Sequence, residues 1–315
     1  MVGIGSATKV MAAAVIAAAI GGCGFGAGSD VGNVTLEVTD NFGVHEVGKT
    51  VVESAPGAET AMRQLERSHR IKTRYGGRYV QSIDGLAGGI ADGRPVDWFY
   101  FVNGSEATVG AADLILKPGD RVWWDRRDWG AATHVSAVVG QWPEPFASSA
   151  EGGNRVEFQC VSPTGAEPVV GCSTARAALH RTGAKIEAGA ARGTGDRARS
   201  RMLVGGWRQL RHDSAVRQLE LGPSASGVYA IPAADGSSIA LLGTDASVVR
   251  RLDAGAGLVA AIADSTGIVT WVVTGVGEQG IDAAAAALTE QDLSRKFAAV
   301  INPDGTVGSL PEVSR

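Results

Sequence analysis

The stretch DWFYFVNGSEATVGAADLILKPGDRVWWDRRDWG, residues 97–130, holds seven of the eighteen aromatic residues of the chain, four of them the tryptophans Trp98, Trp123, Trp124 and Trp129. Its first part alternates. Trp98, Tyr100 and Val102 share one face of a strand and Phe99 and Phe101 the other, because successive side chains point to opposite sides of a pleated backbone. Asn103-Gly104 is the dipeptide a tight hairpin turn selects, since its two central positions need positive φ. Lys117-Pro118-Gly119-Asp120 places proline and glycine where a type II turn wants them. Arg121 to Asp125 is then the closing strand, on which the adjacent Trp123 and Trp124 point to opposite faces.

Upstream, VTLEVTD (34–40) alternates with the period of a half-buried strand, and Asn41-Phe42-Gly43 supplies turn chemistry before a second strand near Val44 to Val52. The period then changes: Ala58, Met62 and Leu65, with Ala61 beside them, fall on one face of a helix. YVQSI (79–83) reads as a strand and DGLAGGIADGRP (84–95) as a loop. Together these elements predict a small mixed sheet grasping one helix over residues 34–140.

Downstream, the Pro-, Ser- and Gly-rich run at 141–154 reads as a linker, and 155–315 as a second domain. That domain opens with the strand RVEFQC and a helix, CSTARAALHRTG, ended by Gly183. Beyond Leu203 the chain matches itself at an offset of 69 residues, in segments 203–241 and 272–310: Leu203-Val204-Gly205-Gly206 against Val272-Val273-Thr274-Gly275, and Asp235-Gly236 against Asp304-Gly305. The fold class expected is α+β, with an internal duplication in the second half.

A formal net charge of −4 and the absence of any sustained basic run give no reason to expect nucleic acid as a partner. Residues 1–22 have the layout of a secretory signal, with one lysine, an apolar run from Val10 to Ile20 too short to span a bilayer, and small residues after it. Ile20-Gly21-Gly22-Cys23 resembles a bacterial lipobox, which implies acylation of Cys23, a tether over 23–33 and an extracytoplasmic, membrane-anchored protein. In such an oxidising compartment Cys160 and Cys172, twelve positions apart, are expected to form a disulfide. The five histidines are scattered, so no metal site is expected. No nucleophile elbow, H-E-x-x-H or phosphate loop is present, and neither an enzyme nor a cofactor is read from the chain.

SIDGLAGG (82–89), DWFYFVNG (97–104) and VGAADLILKPGDRVWW (109–124), in this order of elements, resemble the transcobalamin-like C-terminal domain, a β-grasp module. The resemblance spans about residues 34–130. It implies a β-grasp fold and, since such domains pack over the corrin of cobalamin, a corrin-like ligand; the helical barrel that faces the corrin in cobalamin carriers has no counterpart here. Polar handles make Trp98 and Tyr100 the better face for a partly exposed platform. Trp98, Tyr100, Trp123, Trp124 and Trp129 are the candidate ligand residues. Two readings stand: a lipid-anchored binding protein for a small ligand, serving an uptake system, or an envelope lipoprotein that docks protein partners such as a transporter.

Overall fold

A computed structural model describes residues 32–54, 57–147, 155–161, 169–188 and 200–313, with Met1 and Gly3. The expected signal segment, Cys23 and most of the expected tether lie outside the described residues. The mixed α+β class is seen directly in four sheets and a small set of helices.

The first half is built on strands β1 (Val34–Asp40) and β2 (His45–Val52), helix α1 (Ala61–Ser68), β3 (Ile71–Arg74), β4 (Tyr79–Ile83), β5 (Leu86–Ala87), β6 (Gly89–Ala91), β7 (Arg94–Val102), β8 (Ser105–Glu106) and β9 (Arg121–Asp128). The main sheet runs β2-β1-β9-β7-β6, with β8 paired to β7, and β1 and β9 lie parallel at its centre. A smaller sheet, β3-β4-β5, stands beside it. The helix starts later than its apolar spacing indicates. Thr60 caps it, its hydroxyl accepting from the Arg63 N–H at 3.2 Å, while Ala58 is exposed ahead of the cap at φ +65°. The expected loop 84–95 also holds β5, β6 and the start of β7, because its glycines serve short strand pairs as well as turns.

The second half comprises β10 (Arg155–Val161), α2 (Val170–Arg181), β11 (Lys185–Ala188), β12 (Ser200–Gly205), α3 (Trp207–Leu210), a 3-10 turn at Val216–Leu221, α4 (Pro223–Ser226), β13 (Ala230–Pro232), β14 (Ile239–Leu242), β15 (Val248–Leu252), β16 (Gly257–Ala263), β17 (Val269–Gly275), α5 (Gly277–Ala286), α6 (Glu290–Leu293), β18 (Ala298–Ile301) and β19 (Val307–Leu310). Its seven-stranded sheet has the order β11-β10-β12-β17-β16-β18-β19, parallel through β17 and antiparallel after it. Cys160, at the end of β10, and Cys172, in the first turn of α2, are joined by a disulfide with Cα atoms 5.8 Å apart.

The segments related by the 69-residue offset meet in this sheet: Leu203 and Val204 of β12 are the register partners of Val272 and Val273 of β17. Each is followed by a helix and a hairpin. The hairpins part company, β13-β14 joining β15 in a separate three-stranded sheet while β18-β19 extends the large one.

Both faces of the large sheet are covered. Helices α2 and α5 lie on one side, over a core that includes Val156, Met202, Val259, Trp271 and Ile281. The other side carries Leu203, Leu258 and Val272 against Tyr229 and Leu241, and here Phe42, Phe101 and Trp123 of the first half enter the same core. Phe297 is the hinge of that contact, its ring centroid 5.1 Å from Phe42, 5.5 Å from Phe101 and 5.1 Å from Trp123. Each such side chain contributes about 1.5–3 kcal/mol by leaving water, so the seam joins the halves firmly.

Two glycines permit the approach. A Cβ on Gly43, at φ +81°, would lie 2.0 Å from the Arg295 carbonyl oxygen, and one on Gly140 would lie 2.7 Å from the Lys296 nitrogen. Residues 141–147, expected as linker, are instead part of the second core: Trp142 and Phe146 are buried with ring centroids 5.4 and 5.2 Å from Trp271. Two large aromatic anchors outweigh the loop-like composition around them; residues 148–154 lie outside the described residues.

Candidate functional site

The alternation read in β7 and β9 holds in the register, which pairs Tyr100 with Trp124 and Phe101 with Trp123 across the two strands. On the face toward α1, Trp98, Tyr100, Val122 and Trp124 form a core with Leu36, Met62 and Leu65. Tyr100 and Trp124 stack at 4.7 Å. The polar handles are spent inside the fold: Trp98 Nε1 donates to the Leu86 carbonyl at 3.0 Å and the Tyr100 hydroxyl to the Val109 carbonyl at 2.6 Å. On the opposite face Trp123 is 1% exposed beneath the second half. Exposure of Trp98 and Tyr100 as a platform is therefore corrected, and Trp123 and Trp124, on opposite faces, are both buried. Each belongs to a different core, because the second half covers what would otherwise be the outer face of the sheet.

That outer face also carries a buried polar chain. Trp123 Nε1 donates to Thr39 Oγ1 at 2.7 Å, and the Thr39 hydroxyl donates to Asp125 Oδ2 at 2.5 Å. Asp125, fully buried, also accepts from the backbone N–H groups of Phe42 (3.0 Å) and Gly43 (2.8 Å). Burial pushes its carboxyl up to about 7, against the three hydrogen bonds that favour its charged form. The carboxylate thus fixes the β1–β2 turn, where Asn41, Phe42 and Gly43 all have positive φ, and so aims Phe42 into the seam. This is a structural site.

Trp129 has a different surrounding. It follows β9, its backbone N–H bonds the Pro95 carbonyl at 3.1 Å, and its indole stays partly exposed. Trp129 Nε1 donates to Asp97 Oδ2 at 3.0 Å, and the Tyr79 hydroxyl donates to Asp97 Oδ1. One carboxylate therefore holds two aromatic side chains drawn from β4 and from the segment after β9. Gly88 gives Asp97 its room, since a Cβ there would lie 2.4 Å from Oδ1. Burial, followed by the Asp97 hydrogen bond, raises the Tyr79 hydroxyl well above its ordinary value, so it stays a donor at any physiological pH.

Tyr75 extends this surface. It is 80% exposed and meets Tyr79 edge to face at 6.2 Å. Ile90, 74% exposed, sits on the edge strand β6 as the register partner of Pro95. Of the seven tryptophans only Trp129 escapes the buried class. Tyr75 and Tyr79 are absent from the residues chosen by sequence. The pattern Tyr75-Gly76-Gly77-Arg78-Tyr79, two tyrosines flanking a glycine turn, is the signal that marks them.

The aspartates of this region each have partners of their own. Asp84 binds His69 Nδ1 at 2.6 Å and the Arg70 N–H at 2.9 Å, Asp128 accepts from the Gly130 N–H at 2.8 Å, and Asp97 and Asp125 have the partners given above. Among the described residues no three His, Cys, Asp or Glu side chains come together as a metal-binding set.

The first half is thus a sheet-and-helix module of grasp type with one partly exposed aromatic cluster. Residues 58–127 match the family model described as a domain of unknown function, DUF4430. Among solved structures, a protein from Ruminococcus gnavus titled "putative metal binding protein" is similar at 15% identity, over 31% of this chain and 97% of its own, with a TM-score of 0.25. No curated protein matches the chain.

Proposed function

We propose that this chain is a lipid-anchored extracytoplasmic binding protein, in which Tyr79 and Trp129, held by Asp97, and the neighbouring Tyr75 receive a small, largely apolar or planar ligand of corrin-like class. The observation that carries the reading is the double hydrogen bond on Asp97, which orients two rings at the surface while Trp98, Tyr100, Phe101, Trp123 and Trp124 serve the cores. Side chains fixed before a ligand arrives cost less to order on binding, and a ring with one polar end suits a site that is half wet. The resemblance to transcobalamin-like domains over 34–130 supports the ligand class, and the lipobox-like Cys23 supports the anchor. The role ascribed is binding, with no chemical step.

Titration of tryptophan fluorescence with cobalamin, cobinamide and haem tests it. Saturable quenching beyond the inner-filter loss at tens of micromolar ligand is expected for the wild type, and its loss in Trp129→Phe. No such quenching with any of the three would overturn the corrin class. For the anchor, the wild type should partition into detergent and Cys23→Ala into the medium; identical fractionation refutes it. A protein-docking role is the second reading, favoured by the exposed Ile90 on edge strand β6. It gains if Ile90→Asp releases a cross-linked envelope partner while no ligand quenches Trp129.

A further inference from the structure

A cleft of about 230 Å³ opens where the two halves meet, away from the aromatic cluster. Thr35, Glu37, Lys49 and Val51 of the β1–β2 hairpin form one wall, with Arg121 of β9, Gly140 and Gln141; Glu290 and Ser294 close it from the second half. Pockets for drug-sized molecules run to about 300–1,000 Å³, so this one suits something smaller.

Its charges are unevenly satisfied. Arg121 is committed, one guanidinium nitrogen donating to the Trp142 carbonyl at 2.8 Å and another to Glu290 Oε1 at 2.9 Å. Glu37 and Lys49 are not. They are direct register partners on β1 and β2, and both line the cleft. Among the described residues Glu37 accepts no hydrogen bond, its nearest cation being Arg295 Nε at 4.0 Å, which is itself drawn to Glu46 at 2.7 Å. Lys49 is exposed, has no ion pair within 4 Å among those residues, and acts on Glu37 only at longer range. The Glu37 side chain is only 16% exposed, and a shielded carboxylate without donors is costly unless a partner supplies them. A lone cation would satisfy Glu37 and be repelled by Lys49, and a lone anion the reverse. A molecule bearing an ammonium and a carboxylate a few bonds apart satisfies both, and Val51 offers an apolar wall for a small side chain.

We infer that the cleft between the halves binds the zwitterionic end of a small α-amino acid, its ammonium on Glu37 and its carboxylate on Lys49. Because Glu290 and Ser294 belong to the second half, the bound molecule touches both halves and adds to the seam. This inference is independent of the aromatic site.

Isothermal titration of the full-length chain in detergent at low salt, with L-alanine, L-alaninamide and propionate, tests it. L-alanine should bind saturably, and the two probes that lack one charge at least about tenfold more weakly. Glu37→Gln and Lys49→Met should each weaken L-alanine by about tenfold or more, with far-UV circular dichroism unchanged. No saturable heat from L-alanine, equal affinity for the half-charged probes, or wild-type affinity in both folded variants would overturn the proposal.

Discussion

Replacing Phe297 by alanine tests whether the aromatic excess of the first half serves adhesion to the second. The ring is 2% exposed and meets Phe42, Phe101 and Trp123, all from the opposite half. Truncating a buried phenylalanine costs about 3–5 kcal/mol from lost transfer energy and the cavity left behind. Collapse into that cavity is hindered, because Gly43 and Gly140 already bring backbone against Arg295 and Lys296. A loss of that size is a fifth or more of a typical total stability of about 5–15 kcal/mol. Guanidinium unfolding, followed in parallel by tryptophan fluorescence and far-UV circular dichroism, reads it. The wild type should unfold in one transition; Phe297→Ala should move the midpoint down by the equivalent of about 3–5 kcal/mol and separate the two probes as the halves uncouple. A change below about 1 kcal/mol, with coincident probes, would refute the seam as the structural purpose of these rings.

Two further outcomes follow from the buried groups. Asp125 and Glu144 are both pushed up to about 7, chiefly by burial, so the folded state holds protons that the unfolded chain releases near 4. Their contribution to stability is full below that value and is lost as pH rises through about 7, with a slope of up to about 1.4 kcal/mol per pH unit for each group. Thermal midpoints should therefore fall from pH 5 to pH 8, less steeply in Glu144→Gln; a flat or rising wild-type profile contradicts this. Below about pH 4 the sign reverses, since Asp213 and Glu220 are lowered in the fold. Cys160→Ser with Cys172→Ser should lower unfolding stability by about 3 kcal/mol, the amount a crosslink of this loop length takes from the unfolded chain, and equal urea midpoints would show the bond to be stabilising nothing.

Much of this arrangement is legible along the chain, and the losses have physical causes. The opposite faces of Trp98 and Phe99, the Asn103-Gly104 hairpin and the Lys117–Asp120 turn follow from local rules, and the register and dihedrals agree with them: Asn103 and Gly104 have φ of +52° and +82°, and Asp120 N–H bonds the Lys117 carbonyl at 3.1 Å. Periodicity tells which residues share a face; it does not tell what covers that face. The cover for Phe101 and Trp123 is Phe297, far along the chain, and nothing local announces it. Trp142 and Phe146 were hidden by the prolines and serines around them, since composition averages over the two residues that matter. The candidate site was half legible. Trp129 stood out beside mixed charges, but Tyr79 joins it only through Asp97, a contact set by how β4 lies against β7.

The account rests on a division of the tryptophans among three cores and one surface cluster, with Trp129 the single one that stays partly exposed. Acrylamide quenching of the folded protein reads this directly. The wild type should show a minor accessible fraction of its emission that Trp129→Phe abolishes, while the same substitution at Trp98 or Trp123 leaves that fraction in place. An accessible fraction that survives Trp129→Phe and vanishes with Trp98 or Trp123 would contradict it.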